Sequence, residues 1–171
     1  MTSEVADGWL PIMFIPEKAK EVWGSALAQG AAKRAAGLGP LMISAGGPLA
    51  IGESEEVTRL RDLARPNIAL YVGGMGARGR NFYNDLARRY GYEKEAEEIQ
   101  DLYLAGKKHE AAALVPQDFL DLTSLIGPRS WVAERIAAMR EAGVTHLQVT
   151  PIPTGDQTVP GLISEVKELA G

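Results

Sequence analysis

Pro128-Arg-Ser-Trp-Val-Ala-Glu-Arg-Ile-Ala-Ala-Met-Arg-Glu-Ala-Gly-Val-Thr-His-Leu-Gln-Val-Thr-Pro151 reads as one helix followed by one strand. Pro128 stands where a helix begins, since a first turn needs no N–H from that residue. Val132, Ile136 and Met139 recur at helical spacing, and Gly143 supplies the stop. Val144–Pro151 is then a short strand. Pro160 opens a last helix with Leu162, Ile163, Val166 and Leu169 on one face.

The same grammar governs the other end of the chain. Residues 5–15 predict a buried strand with Pro11 near its end. Pro16 starts an amphipathic helix over 17–36, carrying Ala19, Val22, Trp23, Ala26 and Leu27, and Gly37 and Gly39 end it. Residues 41–51, interrupted by Gly46-Gly47, predict a second strand. The order strand, helix, strand, long middle, helix, strand, helix fits parallel β/α units.

The middle, 53–127, reads as mostly helical. Ser54 is a candidate cap for a helix whose first turn holds Glu55 and Glu56. Residues 66–72 fit a kinked helix and a strand equally, and further helical patterns cover 80–90, 93–105 and 108–123. Placed between a strand and its helix, such a block forms an insertion or lid at the carboxyl ends of the strands, where β/α folds build their sites. Three parallel strands alone leave both edges open and want both faces covered. The chain is therefore expected to pair with itself, with a second polypeptide, or within something longer.

Bulk properties narrow the classes. In 171 residues, 46% are apolar and 23% charged, which suits one soluble globular domain spanning 1–171. A net charge of −4 argues against general affinity for nucleic acid or membrane surfaces. The absence of cysteine excludes disulfides and thiolate chemistry. No apolar run approaches a membrane span, and the N-terminus lacks the pattern of a signal peptide, so a cytoplasmic location is expected.

The densest cluster of unusual residues is Tyr71-Val-Gly-Gly-Met-Gly-Ala-Arg-Gly-Arg-Asn-Phe-Tyr-Asn84. Gly73, Gly74 and Gly76 permit close backbone approach, and Arg78 and Arg80 add two fixed cations. Two readings stand for it: a ligand wall that pairs with carboxylate or phosphate, and a tight interface between packed helices. His109 and His146 are far apart in sequence and suggest no metal site. The acidic run Glu93–Asp101 reads as a solvated helix face, and Trp9, Trp23 and Trp131 read as core. Thr154 and Gly155, after the last strand, are either anion donors or part of a rigid loop.

A family pattern joins these pieces. Ala6-Asp-Gly-Trp-Leu-Pro11, Pro16-Glu-Lys18, the Tyr71–Asn84 run with Asp85-Leu-Ala-Arg-Arg-Tyr-Gly-Tyr92, and Ala142-Gly-Val-Thr-His-Leu-Gln-Val149 resemble the C-terminal half of luciferase-like monooxygenase-family oxidoreductases. Within that superfamily they resemble the branch that uses the deazaflavin coenzyme F-420. The resemblance implies an α/β fold, a partial (β/α)8 TIM barrel holding the last three β/α units. Residues 5–15, 41–51 and 145–150 would be its strands and 53–127 its helical insertion. It implies coenzyme F-420 as cofactor, with FMN the alternative, and hydride transfer to or from a small organic substrate.

The family's N-terminal strands, which supply most catalytic and ring-binding positions, have no counterpart here. No catalytic residue is assigned for that reason. Cofactor contacts transfer to the turn Ile12–Lys18, through Ile12, Met13 and Lys18, and to Gly73, Gly74, Gly76, Arg78 and Arg80. The expected macromolecular partner is a second copy or a completing barrel half. Two rivals remain: a non-catalytic truncated barrel that dimerises, and an anionic-ligand module built on Gly73–Arg80.

Overall fold

The computed structural model describes residues 1–171. In chain order the elements are α1 (Thr2–Val5), β1 (Gly8–Trp9), α2 (Pro16–Ala31), β2 (Met42–Ile51) and α3 (Glu55–Arg59), then a 3-10 turn Leu60–Ala64. There follow α4 (Arg65–Ala69), a π-helical turn Leu70–Gly74, α5 (Phe82–Arg89), α6 (Glu93–Leu104), α7 (Lys108–Ala113) and α8 (Gln117–Leu122). The chain closes with β3 (Leu125–Gly127), α9 (Arg129–Glu141), β4 (His146–Pro151) and α10 (Val159–Ala170). It divides into two compact units, residues 1–60 with 122–171, and residues 61–121. No helix is long and apolar enough to cross a membrane.

The first unit is an α/β structure with a four-stranded parallel sheet. Its centre is β2. Gly8 and Trp9 pair with Met42 and Ile43, Leu125–Gly127 with Leu49–Ile51, and His146–Pro151 with Ser44–Leu49. Leu49 is thus flanked by Leu125 and by Pro151. Gly46 and Gly47 make this closeness possible. A Cβ on Gly47 would stand 2.5 Å from the Thr123 carbonyl oxygen, and one on Gly46 would collide with the backbone of Gln148.

One face of the sheet packs on helices. Leu49, Ile51 and Leu125 meet Val132 and Ile136 of α9 and Leu162 and Val166 of α10, with Leu147 and Val149 against them. Ala45, Phe14, Ala19 and Met139 continue this layer beside Trp9 and Trp23. Each fully buried large aliphatic contributes about 1.5–3 kcal/mol. On the other face a small cluster of Ala50, Val57 and Ile126 is confined to the carboxyl end.

The structure corrects the expected strands. There are four, not three, because Leu125-Ile126-Gly127 forms a strand too short to show a period. The helical stretch accordingly ends at Leu122 rather than 127. The strand expected over 5–15 is reduced to Gly8–Trp9. Pro11 has no N–H for a ladder, and Met13 takes a left-handed φ of 52°, which turns the chain. Phe14 and Ile15 are buried all the same, so their apolarity serves packing and not pairing.

α2 ends at Ala31, short of 36. Just beyond, the Arg34 guanidinium donates to the carbonyls of Gly39, Ser3 and Ala6 at 2.8, 3.0 and 2.8 Å, which holds the chain in a turn.

The second unit is helical throughout. Pro66 lies in the first turn of α4, and the helix runs on into the π turn, so residues 66–72 are helix and not strand. Ile68, Val72, Leu86, Ile99, Ala111 and Phe119 are among its buried side chains. Arg61 pairs with Asp121 at 2.8 Å, and Arg65 bonds the Val115 carbonyl, so the unit's two ends are tied by cations.

Gly46→Ala should lower stability by roughly 2 kcal/mol or more by forcing β2 and β4 apart. A reduced urea midpoint at unchanged slope is the expected result.

Candidate functional site

Because all the strands are parallel, their carboxyl ends meet at one end of the sheet, where open α/β sheets bind ligands. Four connections lie there. They are residues 10–15 into α2, 52–54 into α3, Pro128 into α9, and 152–158 into α10. Backbone bonds lock the strand ends, with Gly52 N–H donating to Gly127 O at 3.0 Å and Ile152 N–H to Leu49 O at 2.8 Å. Gln157 adds a brace by donating its Nε2 to Ile51 O at 2.8 Å. Its Oε1 accepts from the backbone N–H and hydroxyl of Thr154, at 3.1 and 2.9 Å. Thr154 is therefore spent inside a rigid loop and has no donor left for an anion.

The helix starts at this end differ in what they leave free. Ser54 and Thr158 cap α3 and α10 by accepting from Val57 N–H and Gly161 N–H. α2 has no side-chain cap at Ile15 but satisfies itself. Pro16 has no N–H, Lys18 N–H donates to Ile15 O at 3.1 Å, and Glu17 bonds its own backbone N–H through its carboxylate. α9 starts at Pro128 with no side-chain cap, and Arg129 and Ser130 are exposed there. Its first-turn N–H groups and the positive end of its dipole are open to an anion.

Glu17 is held across a sequence separation of 118 by Arg135, whose guanidinium nitrogens bond both carboxylate oxygens, one at 3.2 Å. Arg135 is buried, donates also to Leu122 O at 3.0 Å, and lies 5.8 Å from the centre of the Trp131 ring. Burial alone would raise the Glu17 carboxyl, but the Arg135 hydrogen bond and charge outweigh it and hold the group below its ordinary value. Ile12, Met13 and Lys18 lie together on this turn, all half-buried. Beside it Trp9, Phe14 and Trp23 wall a cavity of about 420 Å³ rimmed by Glu17, Lys20 and Glu141. Trp9 meets Trp23 edge-on at 5.2 Å.

Gly73, Gly74, Gly76, Arg78 and Arg80 belong to the helical unit. A Cβ on Gly73 would stand 2.5 Å from Tyr103 Cβ, one on Gly74 would strike the Tyr103 ring, and one on Gly76 the Arg80 carbonyl. Helix-to-helix closeness accounts for Gly73 and Gly74, and the tight turn that folds back on Arg80 accounts for Gly76. Arg78 pairs with Asp101 at 2.7 Å on the surface, and Arg80 is exposed.

Two asparagines make the segment possible. Asn81 Nδ2 donates to the carbonyls of Tyr71 and Val72, both at 2.9 Å, while its Oδ1 caps α5. Asn84 Nδ2 donates to Val72 O at 3.0 Å and Ala96 O at 2.7 Å. The carbonyls that a π turn leaves without the usual helical partner are satisfied in this way. Outside both units' candidate positions, His146 is exposed beside the Thr145 hydroxyl and His109 is exposed in α7.

Sequence reasoning placed the α9 start at Pro128 but did not single it out as an anion site, because β3 before it was not recognised, and it missed Arg135, because nothing local ties it to Glu17. The donors at the sheet end, namely the α9 N-terminus and Lys18, suit the phosphate and carboxylate oxygens of an anionic tail.

Comparison with known proteins matches residues 1–146 to the luciferase-like monooxygenase family. A Mycobacterium tuberculosis protein described as a coenzyme F-420-dependent oxidoreductase is 33% identical over 156 residues, covering 88% of this chain and 43% of its own length. A solved coenzyme F-420-dependent tetrahydromethanopterin reductase from Methanopyrus kandleri superposes with a TM-score of 0.62 at 22% identity, over 99% of this chain and 44% of its own. The chain thus spans a little under half the length of these two relatives.

Asn81→Ala should cost about 1–3 kcal/mol in thermal or urea unfolding, since the Tyr71 carbonyl loses its side-chain donor, Val72 O keeps only that of Asn84, and α5 loses its cap. Glu17→Gln should destabilise the protein at neutral pH. Because the folded-state value is lowered, that stabilisation is present above the ordinary 4.5 and disappears as pH falls through the folded value. Unfolding curves of the wild type and Glu17→Gln should therefore converge in acid. Curves that stay parallel down to low pH would contradict this account.

Proposed function

Because the chain belongs to the luciferase-like monooxygenase family, we propose that it forms the C-terminal half of a coenzyme F-420-dependent oxidoreductase barrel. Its task is to hold the anionic tail of the cofactor at the carboxyl end of the sheet. The observation that carries this reading is the α9 N-terminus, uncapped and exposed immediately after β3. TIM barrels frequently bind phosphate with the loops after their last two strands. On the reading that this chain is the C-terminal half, those are the β3–α9 and β4–α10 loops. The descriptions of the two relatives support F-420 over FMN.

The cofactor supplies hydride transfer to or from a small organic substrate. The chain's own residues bind and orient. Backbone N–H groups of Arg129 and Ser130 face the anion, and Lys18 adds charge from the neighbouring turn. Ile12 and Met13 shape that turn through the left-handed φ of Met13. The Glu17 carboxylate already occupies the α2 start and is held there by Arg135, so it directs an anion towards α9 and Lys18. The Gln157 brace keeps the strand ends at fixed spacing beneath the tail.

Fluorescence titration with coenzyme F-420, with FMN in parallel, tests the assignment. Ser130→Pro removes one first-turn N–H at a position where proline is compatible with a helix, and should weaken F-420 binding about tenfold with the helix content unchanged. Lys18→Ala should weaken it less. Saturable binding that ignores both substitutions would move the cofactor away from this end, and no binding to either cofactor would remove the enzyme reading for the chain on its own.

A further inference from the structure

We propose that the cleft between α5 and α6 binds a small zwitterion of the α-amino acid class, taking its carboxylate on Arg88 and its ammonium between Asp85 and Glu97. Every residue of this site belongs to the helical unit 61–121, so the inference goes beyond the cofactor reading and does not rest on it. The cleft encloses about 370 Å³, within the size range of small-molecule sites. Such sites are mostly apolar, yet no aliphatic or aromatic side chain lines this one. Its ligand is therefore recognised by charge and hydrogen bonds, and the ligand's own side chain is small or polar.

Arg88 is held as an anion fork. It is half-buried, and its Nε donates to Asn84 Oδ1 at 2.9 Å. Asn84 is in turn anchored through Nδ2 to the carbonyls of Val72 and Ala96, at 3.0 and 2.7 Å. The guanidinium is thus oriented through one nitrogen, and its two terminal nitrogens have no partner in the chain. Gln100 lines the same cleft and is only 4% exposed. Its Nε2 donates to Gly76 O at 3.3 Å, which fixes the orientation of the amide and leaves Oε1 without a donor. A buried polar atom left unpaired costs stability, and an ammonium N–H supplies what that oxygen lacks.

The balance of charge decides the class of ligand. Arg78 spends Nε and one terminal nitrogen on a single oxygen of Asp101, at 2.8 and 2.7 Å. With that pair closed, Arg88 faces two carboxylates, Asp85 and Glu97, neither of which pairs within the chain. A phosphate or a dicarboxylate would meet this excess of negative charge, and a simple amine would leave the Arg88 fork unused. A molecule carrying both charges answers each group. Asp85 and Arg88 lie three residues apart on α5, which puts their Cβ atoms on one face about 5–6 Å from each other. A carboxylate and an ammonium on a shared carbon match that spacing, whereas charges at opposite ends of a long chain do not.

The test is a nuclear magnetic resonance titration of the full chain, with no cofactor added, using L-serine as probe and acetate, methylamine and inorganic phosphate as comparisons. Serine should give saturable shifts at the Gln100 side-chain amide and at Gly79, and should bind at least about tenfold tighter than any of the other three. Arg88→Lys keeps the charge but removes the fork, and should weaken serine binding about tenfold with unchanged circular dichroism. Glu97→Gln, at an exposed position, should weaken it several-fold, and decides the matter alone if Arg88→Lys fails to fold. Glu98→Gln, which removes the neighbouring carboxylate outside the cleft, should leave binding as it is. Phosphate or acetate binding as tightly as serine, serine binding indifferent to the cleft substitutions, or no saturable shift with any probe would each overturn the proposal. Since F-420 is absent, a chain that binds serine here but no F-420 would sink the proposed function and leave this site standing.

Discussion

Every strand in the sheet pairs with β2 and with nothing else. One ten-residue strand, Met42–Ile51, therefore carries the register of the whole α/β unit. Its ability to do so lies in Gly46-Gly47, where two neighbouring backbones approach closer than a Cβ would allow. Either neighbour could be accommodated by a bulge, but both together require an absent side chain on each residue. Pro48 fits the same logic. On the side of β2 that receives β1 and β3, residues 44–48 are unpaired, so the missing N–H of a proline there breaks no ladder. The helices, the core and the converging strand ends all take their position from this strand.

Charge placement supports that frame at its sensitive end. Arg135 is buried on α9, and Glu17 lies in the first turn of α2, so their pair joins two helices on the same side of the sheet. A buried cation is costly unless it is paired and hydrogen-bonded, and here it has the carboxylate, the Leu122 carbonyl and the Trp131 face. The pair also decides which helix start stays open. With Glu17 seated on its own N–H, the dipole of α2 is already answered, and α9 is the start with neither a side-chain cap nor an acidic first turn. Local electrostatics thus distinguishes otherwise similar β/α turns.

Much of this was legible in the sequence because β/α punctuation is local. Pro16, Pro128 and Pro160 mark helix starts to within a residue, and Gly143 marks a stop, since each acts through its own φ. The strand at 125–127 was hidden because three residues give no period, and with it went the place of the α9 start at the carboxyl end of a strand. Residues 5–15 misled in the opposite way, since Phe14 and Ile15 are core without being strand. The Gly73–Gly76 run shows why glycine alone cannot separate ligand approach from helix packing. The packing partner is Tyr103, some thirty residues away from Gly73, together with the Asn81 and Asn84 amides that satisfy the π turn. Long-range pairs such as Glu17–Arg135 leave no local trace at all.

The bond between Ile43 and Thr145 spans 102 positions, and the helical unit 61–121 lies within that span. Closing so long a loop costs entropy that grows with the logarithm of its length, and pairings of high sequence separation form slowly. The contacts inside 61–121 are short-range by comparison. A helical unit that condenses by itself shortens the loop the sheet must close, turning about sixty free residues into one compact link. The insertion therefore has a kinetic consequence for the sheet on either side of it in the chain: early order in the helices brings β2 within reach of β3 and β4.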